Sequence, residues 1–396
     1  MGKRRVGALL GVLAASGVLV ACGSSGSSNT SSSSGGGAST APAAADNSGV
    51  TEATSLVQDA LKEPTWQGPT DKVNTAAAKG KTVYFVNLTE QIPALHEWSQ
   101  VFGQQLQAAG VKVQKCDGKG APNTITACLQ KSLAAKPDVI VALALDTKLI
   151  ANVMAQAKAQ GIKFITAQTG TPEQPTSPPG RYAEVTFDYP GVGKMLADWF
   201  VSDSQCKKGA PQIVTTTSSR EPSEAEVNAM TQEITRLCPG MKVPTPENVL
   251  IPDWPTKLPT VTRSILLKDP NLQYLIPLYD GMTIYMLPTA QGIHRNNPLK
   301  VASFNATPVV MQNSLAKESP LTADVGGPNQ WFGVAMADQA LRAAAGDPPI
   351  ADEKVPLRLF TRDNVTTIDV GKDEKTWYGP VDPVCEYHKL WGLPCS

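Results

Sequence analysis

Polar side chains that could bind a small molecule follow the ends of several apolar runs in this sequence. Amides, carboxylates and hydroxyls can exchange hydrogen bonds with adjacent hydroxyl groups, while aromatic rings can cover the apolar face of a ring-shaped ligand. The chain shows no Gly-x-Ser-x-Gly elbow, no His-Glu-x-x-His motif and no phosphate-binding Gly-x-x-x-x-Gly-Lys-Ser/Thr loop, so the chemistry it favours is binding. The candidate ligand-binding residues are Asn87, Thr89, Glu90, Trp98, Asp146, Thr147, Gln168, Arg220, Glu224, Tyr279, Asp280, Phe304, Asn305 and Trp331.

Several of these residues also have a structural explanation. Asp146 and Asp280 each precede a predicted helix and could cap it instead of touching a ligand. Trp98 and Trp331 fall on predicted helices, where an aromatic side chain usually packs in the core.

Three other candidates differ in how strongly they indicate a ligand. Arg220 could form a solvated pair with Glu224 and do nothing more. Asn87 and Asn305 end apolar strands, where an amide has little structural purpose, so they are the stronger binding candidates.

Alternating strand and helix patterns must position these side chains. Apolar β-rich runs separated by helical segments of about 10–15 residues predict right-handed βαβ units and parallel sheets. The first series has predicted strands at 82–87, 111–113, 138–143 and 162–165, and the second at 183–187, 212–215, 248–251, 272–276 and 299–304. Ligands bind outside the carboxyl ends of such strands, so two α/β halves should enclose a cleft there.

The cysteines predict disulfides. Apart from Cys22, the chain has six cysteines, which allow 15 pairings in principle. Proximity along the chain favours Cys116–Cys128, Cys206–Cys238 and Cys385–Cys395. Zinc is less favoured, because no Cys-x-x-Cys is present and the three histidines are scattered.

The charge balance excludes one class of partner. With 35 basic and 35 acidic residues, no large positive field is available to attract nucleic acid.

The N-terminal residues indicate export. Three basic residues precede an apolar run at 6–20, which is too short for a membrane span and typical of a signal peptide, residues 1–21. Leu19-Val20-Ala21-Cys22 resembles a bacterial lipobox, which implies cleavage before Cys22 and lipid on its thiol. An ordinary secretory signal with an incidental cysteine is the alternative. The Ser/Gly-rich residues 22–49 predict a flexible tether to the membrane.

Six segments, in order, resemble the class I periplasmic binding proteins, which include ribose- and galactose-binding proteins. They extend over roughly residues 81–365 and read CLQKSLAAKPDVIVALALDTKLIANVMAQAKAQGIKFITA, TFDYPGVGKMLADWF, YLIPLYDGMTIYMLPTA, KVASFNATPVVMQNSL, LTADVGGPNQWFGVAMADQALRAAAGD and LRLFTRDNV.

The resemblance implies an α/β fold with two Rossmann-like, doubly wound parallel-sheet lobes joined by a three-segment hinge. The crossings would fall near Asp188, Gly326 and Leu357. The implied division is an N-terminal extension at 50–80, lobe 1 at 81–187 plus 327–356, lobe 2 at 188–326 plus 357–365, and a tail at 366–396 that we expect to pack on lobe 2.

The resemblance also implies a function. Such a protein would capture a small polar solute, a sugar or a sugar-like compound, by hinge closure and deliver it to the permease of an ABC transporter, whose ATPase belongs to other chains. We expect a lipid-anchored, extracytoplasmic monomer without cofactor, metal or enzymatic activity. A receptor subunit for a membrane sensor and an extracellular carbohydrate-active enzyme are the alternatives. A cytoplasmic repressor of the same family is excluded by the leader.

The sequence departs from the ribose binders of this family. They carry arginine where Thr147 stands and another near Glu224, glutamine in place of Gly326, and aspartate in place of Asn305. Because this charged clamp is largely missing, the solute stays open among other sugars, polyols, nucleosides and small aromatic compounds.

Overall fold

The computed structural model describes residues 47–170, 179–372 and 374–395. The predicted signal peptide, Cys22 and most of the predicted tether lie outside the described residues. The end of the tether was placed too late, because its final residues Ser48 and Gly49 already belong to the first helix.

The helices follow the predicted apolar periodicity, with additional short helices in the loops and tail. They are α1 (Ser48–Ala60), α2 (Thr75–Ala78), α3 (Pro93–Ala108), α4 (Pro122–Ala134), α5 (Thr147–Ala159), α6 (Tyr189–Ser204), α7 (Arg220–Leu237), α8 (Trp254–Lys268), α9 (Asp280–Gln291), α10 (Pro308–Val310), α11 (Asn329–Ala345), α12 (Arg362–Val365) and α13 (Pro383–Trp391). Short 3₁₀ turns lie at Ile251–Asp253 and Glu374–Thr376, and a π-helical turn at Met311–Leu315. Among the described helices, none has the length and apolar character needed to span a membrane.

The first sheet is entirely parallel, as the βαβ pattern predicts. Its strands are β1 (Thr82–Asn87), β2 (Lys112–Asp117), β3 (Val139–Leu143), β4 (Lys163–Ala167) and β5 (Arg181–Val185), in the order β2-β1-β3-β4-β5. The central β3 is buried along its whole length, because helices cover both faces of a sheet of this kind. One prediction was wrong: the run at 183–187 opens no second series, since β5 pairs with β4.

The second sheet is parallel except at one edge. Its strands are β6 (Gln212–Thr215), β7 (Glu247–Asn248), β8 (Tyr274–Pro277), β9 (Lys300–Asn305), β10 (Leu321–Gly326) and β11 (Arg358–Thr361). They are ordered β11-β10-β9-β8-β6-β7, with β11 antiparallel to β10. The α/β class with parallel sheets is therefore confirmed.

The chain passes between the two sheets three times. It leaves the first sheet after β5, returns after β10 and crosses again before β11. Between the last two crossings, α11 packs on α3 and on strands of the first sheet. These crossings support the division into lobes, whose bounds stay a prediction.

Three disulfides are present with the pairing that chain proximity favours. Cys116–Cys128 joins β2 to α4, and Cys206–Cys238 joins the carboxyl ends of α6 and α7. Cys385–Cys395 closes the end of the tail around α13.

The N-terminal extension contacts both halves. Helix α1 packs on α6 and α7, where Glu52 pairs with Arg236 at 2.8 Å. Farther along, the Trp66 ring stacks on Trp331 of α11 at a centroid distance of 5.2 Å.

The C-terminal tail also divides its contacts, which corrects the prediction that it packs on lobe 2. Trp377 packs beside Phe360 of the second sheet. The following α13 instead packs on α11, where the Trp391 indole donates to Asp338 at 2.6 Å. The large aromatic side chains of α13 are buried by these helices rather than by the second sheet.

Candidate functional site

The loops at the carboxyl ends of both sheets converge on a small cavity of about 30 Å³. This is the position where open α/β sheets bind ligands. Segments after β1, β3 and β4 contribute from one sheet, and segments after β6, β7 and β8 with the last residue of β9 from the other. The lining residues are Leu88, Ile92, Ala94, Leu95, Trp98, Ala144, Gln168, Ser219, Ile251, Trp254, Tyr279 and Asn305.

A second cavity of about 230 Å³ adjoins this one and shares Ile92, Ile251 and Trp254 with it. Thr89, one of the predicted binding residues, lines the second cavity, and its hydroxyl accepts a hydrogen bond from the Gln91 backbone N–H at 3.2 Å. We call the two cavities together the cleft. It is walled by residues that follow strands of both sheets.

Four of the predicted binding residues line the smaller cavity. Trp98 and Gln168 come from the first half of the fold, and Tyr279 and Asn305 from the second. The Tyr279 hydroxyl lies 3.0 Å from the Ser223 hydroxyl on α7, which fixes its ring orientation. The sequence therefore placed candidates on both walls of the cleft.

Backbone strain is concentrated at the cavity. Ala144, Gln168 and Asn305 line it with φ angles of 58°, 54° and 127°, a range that residues with a Cβ rarely adopt. Non-glycine residues in such conformations persist where the surrounding structure enforces them, often at ligand sites. This feature has no signal in the sequence, because none of the three is a glycine.

Asn87 and Glu90 form a network behind the cavity wall. The buried Asn87 amide donates to Glu90 Oε1 at 2.9 Å and to the Leu95 carbonyl at 3.4 Å. Ser99 and His96 also hydrogen-bond to the Glu90 carboxylate, at 2.8 and 2.9 Å. The Asn87 amide therefore holds Glu90 and the start of α3 in place, a structural role that the sequence did not reveal.

Asp146, Arg220 and Glu224 form a charged group at the rim of the cleft, and none of the three lines either cavity. Asp146 caps α5 by accepting from the Lys148 amide at 2.8 Å, which confirms the capping alternative. Its carboxylate is also 3.9 Å from Arg220 Nε across the cleft, and Arg220 contacts Glu224 at 3.1 Å. Thr147, the first residue of α5, is half-buried beside this group.

Asp280 lies outside the lining of both cavities, and the prediction that it caps a helix is wrong. Its side chain makes no cap for α9 but accepts from the amide and hydroxyl of Thr307 at 2.6 and 2.7 Å. Burial raises the pKa of Asp280 to about 6 and the pKa of neighbouring Asp324 well above its usual range. The pair therefore holds the loop after β9 in place.

Two predicted aromatic contacts belong to the core. Phe304 is fully buried among Phe187, Tyr189 and Tyr279, directly behind the cleft. Trp331 lies apart from the cleft, because the N-terminal extension covers it with Trp66. We therefore exclude Trp331 from the proposed site.

Sequence reasoning missed the apolar part of the lining. Ile92, Ile251 and Trp254 line both cavities, yet an apolar side chain carries no chemical signature of a binding site in the sequence. Gly281 makes room for the Trp254 ring, since a Cβ at this position would lie 2.7 Å from it. Among the described residues, no group of three or more His, Cys, Asp or Glu side chains could hold a metal ion.

Glu97 on α3 should make stability depend on pH. Burial raises the pKa of Glu97 from its usual 4.5 to about 7, and the charge of Asp280 adds to the increase. Since the folded protein binds this proton more tightly, the favourable contribution is complete below pH 4.5 and is lost as pH rises to 7. We expect Glu97→Gln to raise the Tm by about 2 °C at ~pH 8 and to leave it unchanged at ~pH 4. Thermal unfolding across this range measures the effect, and a Tm difference independent of pH would contradict it.

The tail reaches the cleft through one chain of hydrogen bonds. The Trp98 indole donates to Asn329 Oδ1 at 2.7 Å, and Asn329 Nδ2 donates to Glu374 Oε2 at 3.0 Å. The Asn329 backbone N–H donates to Glu374 Oε1. Glu374 is buried, so the tail fixes the first residue of α11 and, through it, the orientation of Trp98.

Glu374→Gln tests this positioning role. An amide in place of the carboxylate leaves a buried Asn329 donor without an acceptor, which costs about 1–3 kcal/mol of stability. We expect the near-ultraviolet circular dichroism of the tryptophans to change and ligand affinity to fall by up to about tenfold. Glu386→Gln, which removes the exposed pair with Lys389, is the matched control. Unchanged spectra and affinity in Glu374→Gln would show that the tail does not position Trp98.

Comparisons with known proteins agree with this geometry. Residues 83–348 match the family described as "Periplasmic binding protein domain". No curated relative matches the sequence.

Solved structures with similar folds include ABC transporter solute-binding proteins. One from Agrobacterium vitis with bound allitol has a TM-score of 0.66 and 21% identity, covering 73% of this chain and 98% of its own. One from Mycobacterium smegmatis with bound glycerol has a TM-score of 0.65 and 17% identity, covering 74% and 98%. A 5-methylthioribose-binding protein from Thermotoga lettingae has a TM-score of 0.65 and 16% identity, covering 73% and 89%. The chain thus belongs to the periplasmic binding protein domain family, whose members bind solutes and are not enzymes.

Proposed function

We propose that this protein is an extracytoplasmic solute-binding lipoprotein that captures a small, sugar-like solute and delivers it to the permease of an ABC transporter. The observation that carries the proposal is the cleft, which takes its walls from the carboxyl ends of strands in both sheets. The bound polyols and sugars named for the similar structures support a sugar-like solute.

Closure of the two lobes is the proposed binding mechanism. Trp98 and Gln168 contribute contacts from one wall, and Tyr279 and Asn305 from the other, so both sets meet the ligand only when the lobes are together. A ligand that touches both walls stabilises the closed form by the contacts that the open form lacks. The closed pair of lobes then presents the surface that the permease recognises.

The proposed anchor is lipid on Cys22, with the Ser/Gly-rich residues between it and α1 as the tether that the sequence predicts. A flexible segment of this length has a root-mean-square reach of about 25–30 Å, enough to keep a monomer close to a permease in the same membrane. The permease and its ATPase would be supplied by other chains.

A binding screen with a structural readout tests the proposal. Allitol, myo-inositol, 5-methylthioribose and adenosine are added singly, and the Tm and small-angle X-ray scattering profile are measured. A binder should raise the Tm and reduce the radius of gyration while leaving the compound chemically unchanged. Absence of any binder, or tight binding with superimposable scattering profiles, would overturn the mechanism. Loss of radiolabelled uptake on deletion of the gene would separate import from sensing.

The strained lining residues give a sharper prediction. We expect Gln168→Gly and Asn305→Gly to lower affinity for the best binder of that panel by at least about tenfold, because each removes a polar contact. Glycine relieves the positive φ angle, so the unfolding free energy should stay within about 1 kcal/mol of wild type. The control is Lys354→Gly, an exposed position with a φ of 49° outside the cleft. Unchanged affinity in both cleft variants would show that the binding site lies elsewhere.

A further inference from the structure

The lining of the cleft is mostly apolar. Leu88, Leu95 and Ala144 contribute from the first half, and Ile251 and Trp254 from the second. Trp98, Trp254 and Tyr279 place aromatic rings on both walls of the smaller cavity. The polar side chains among the lining residues of this cavity are Gln168, Ser219 and Asn305, besides the Tyr279 hydroxyl and Trp indoles, and all are neutral.

The carboxylates near the cleft are bound to partners in the protein. Glu90 accepts from Asn87 and Ser99, and Asp280 accepts twice from Thr307. Asp146 caps α5 and faces Arg220 at the rim. A free sugar ring would therefore meet hydrocarbon where its hydroxyl groups need acceptors, and each unpaired hydroxyl carries a desolvation cost.

The adjoining cavity extends the apolar surface. Ile92, Ile251 and Trp254 are shared by both cavities, and Pro252 and Pro255 continue the wall of the larger one. Thr89 and Lys119 lie in the same lining, so the larger cavity combines an apolar wall with polar groups. An elongated ligand can thus place an apolar group against the shared residues and its hydroxyls against neutral polar groups.

We propose, as a deepening of the binding function above and resting on it, that the cleft selects a neutral sugar-like compound that carries an aromatic or other apolar ring substituent. The substituent packs against Ile92, Ile251 and Trp254, which the two cavities share. Gln168, Ser219 and Asn305 of the smaller cavity bind hydroxyl or carbonyl oxygens. Free pentoses and hexoses, which lack the apolar group, bind more weakly.

Matched glycosides test the proposal by isothermal titration calorimetry. The compounds are D-glucose, D-galactose and D-ribose, the methyl and phenyl β-glycosides of each sugar, and adenosine. In at least one series, we expect the phenyl glycoside or the nucleoside to bind about tenfold more tightly than both the free sugar and the methyl glycoside. Equal or tighter binding of a free sugar would overturn the selectivity and leave the binding function intact. If none of the compounds binds, the result counts against the selectivity and against the proposed binding function.

Two variants assign the selectivity to the cleft. Ile251→Ser replaces an apolar residue shared by both cavities, and we expect it to reduce the preference for the phenyl compound at least about fivefold. Ile92→Ser provides the same test from the other wall if the first variant fails to fold. Leu267→Ser, at a position 63% exposed on α8, is the control and should leave the preference unchanged. A preference that survives both cleft substitutions would overturn the assignment.

Discussion

Replacing Arg342 by methionine should lower the free energy of unfolding by about 3–5 kcal/mol, because it leaves a buried carboxylate without its cation. Arg342 and Asp338 are paired on α11 with almost no exposure. The arginine also donates to the Asp71 carbonyl at 2.6 Å, and Asp338 accepts from Trp391 at 2.6 Å. One ion pair therefore joins α11 to the N-terminal extension and to the tail. Chemical denaturation at neutral pH measures the loss.

The double variant Arg342→Met with Asp338→Leu is the matched control. Since it removes the unpaired charge, it should be more stable than Arg342→Met alone, although the tail loses the acceptor for Trp391. If the double variant were no more stable than the single one, the unpaired buried charge would not be the cause. A loss below about 1 kcal/mol in Arg342→Met would contradict the prediction itself.

Replacing Trp98 by alanine should remove most ligand binding, about 100-fold or more, and lower the unfolding free energy by about 3–5 kcal/mol. The indole is 1% exposed, packs on Phe332 at a centroid distance of 4.6 Å and lines the cleft. Alanine opens a void in the first half and leaves Asn329 Oδ1 without its donor. Affinity for the best binder is measured at a temperature where the variant is folded.

Trp199→Ala is the control that separates stability from binding. Trp199 is also buried, but it packs on Tyr274 of β8 at 5.9 Å, outside the cleft lining. Trp199→Ala should lower the unfolding free energy by about as much as Trp98→Ala and leave ligand affinity within about twofold of wild type. Trp98→Phe, which keeps the apolar ring and loses the N–H group, should fall between the two tryptophan-to-alanine variants in affinity. Equal affinities in Trp98→Ala and Trp199→Ala would remove Trp98 from the site.

Local sequence signals predicted the framework well. The run 82–87 became β1 with the same bounds, and 212–215 became β6, because an apolar β-rich strand between turns has few alternative structures. Asp146 at the start of α5 has the capping hydrogen bond that its position suggested. The order of strands in each sheet could not be read from periodicity.

The site was predicted only in part, for physical reasons. Gln168, Tyr279 and Asn305 end or closely follow strands, and the sheet rule places such residues at one edge. Trp98 reaches the same edge from α3, the helix after β1. Asp280 looks the same in sequence, yet its carboxylate turns toward Thr307 because the loop after β9 supplies two donors. Side-chain direction of this kind depends on contacts between distant segments, which local sequence patterns do not encode.

Arg358 has a further consequence for motion. Its guanidinium is buried and donates to the Leu61 carbonyl at 3.1 Å and to the Trp377 carbonyl, so it fastens β11 to both terminal segments. Each terminal segment also contacts α11, through Trp66 and Trp391. Each terminal segment therefore connects the two halves, in addition to the three crossings. For the proposed closure, these contacts should limit the angle through which one lobe can rotate against the other.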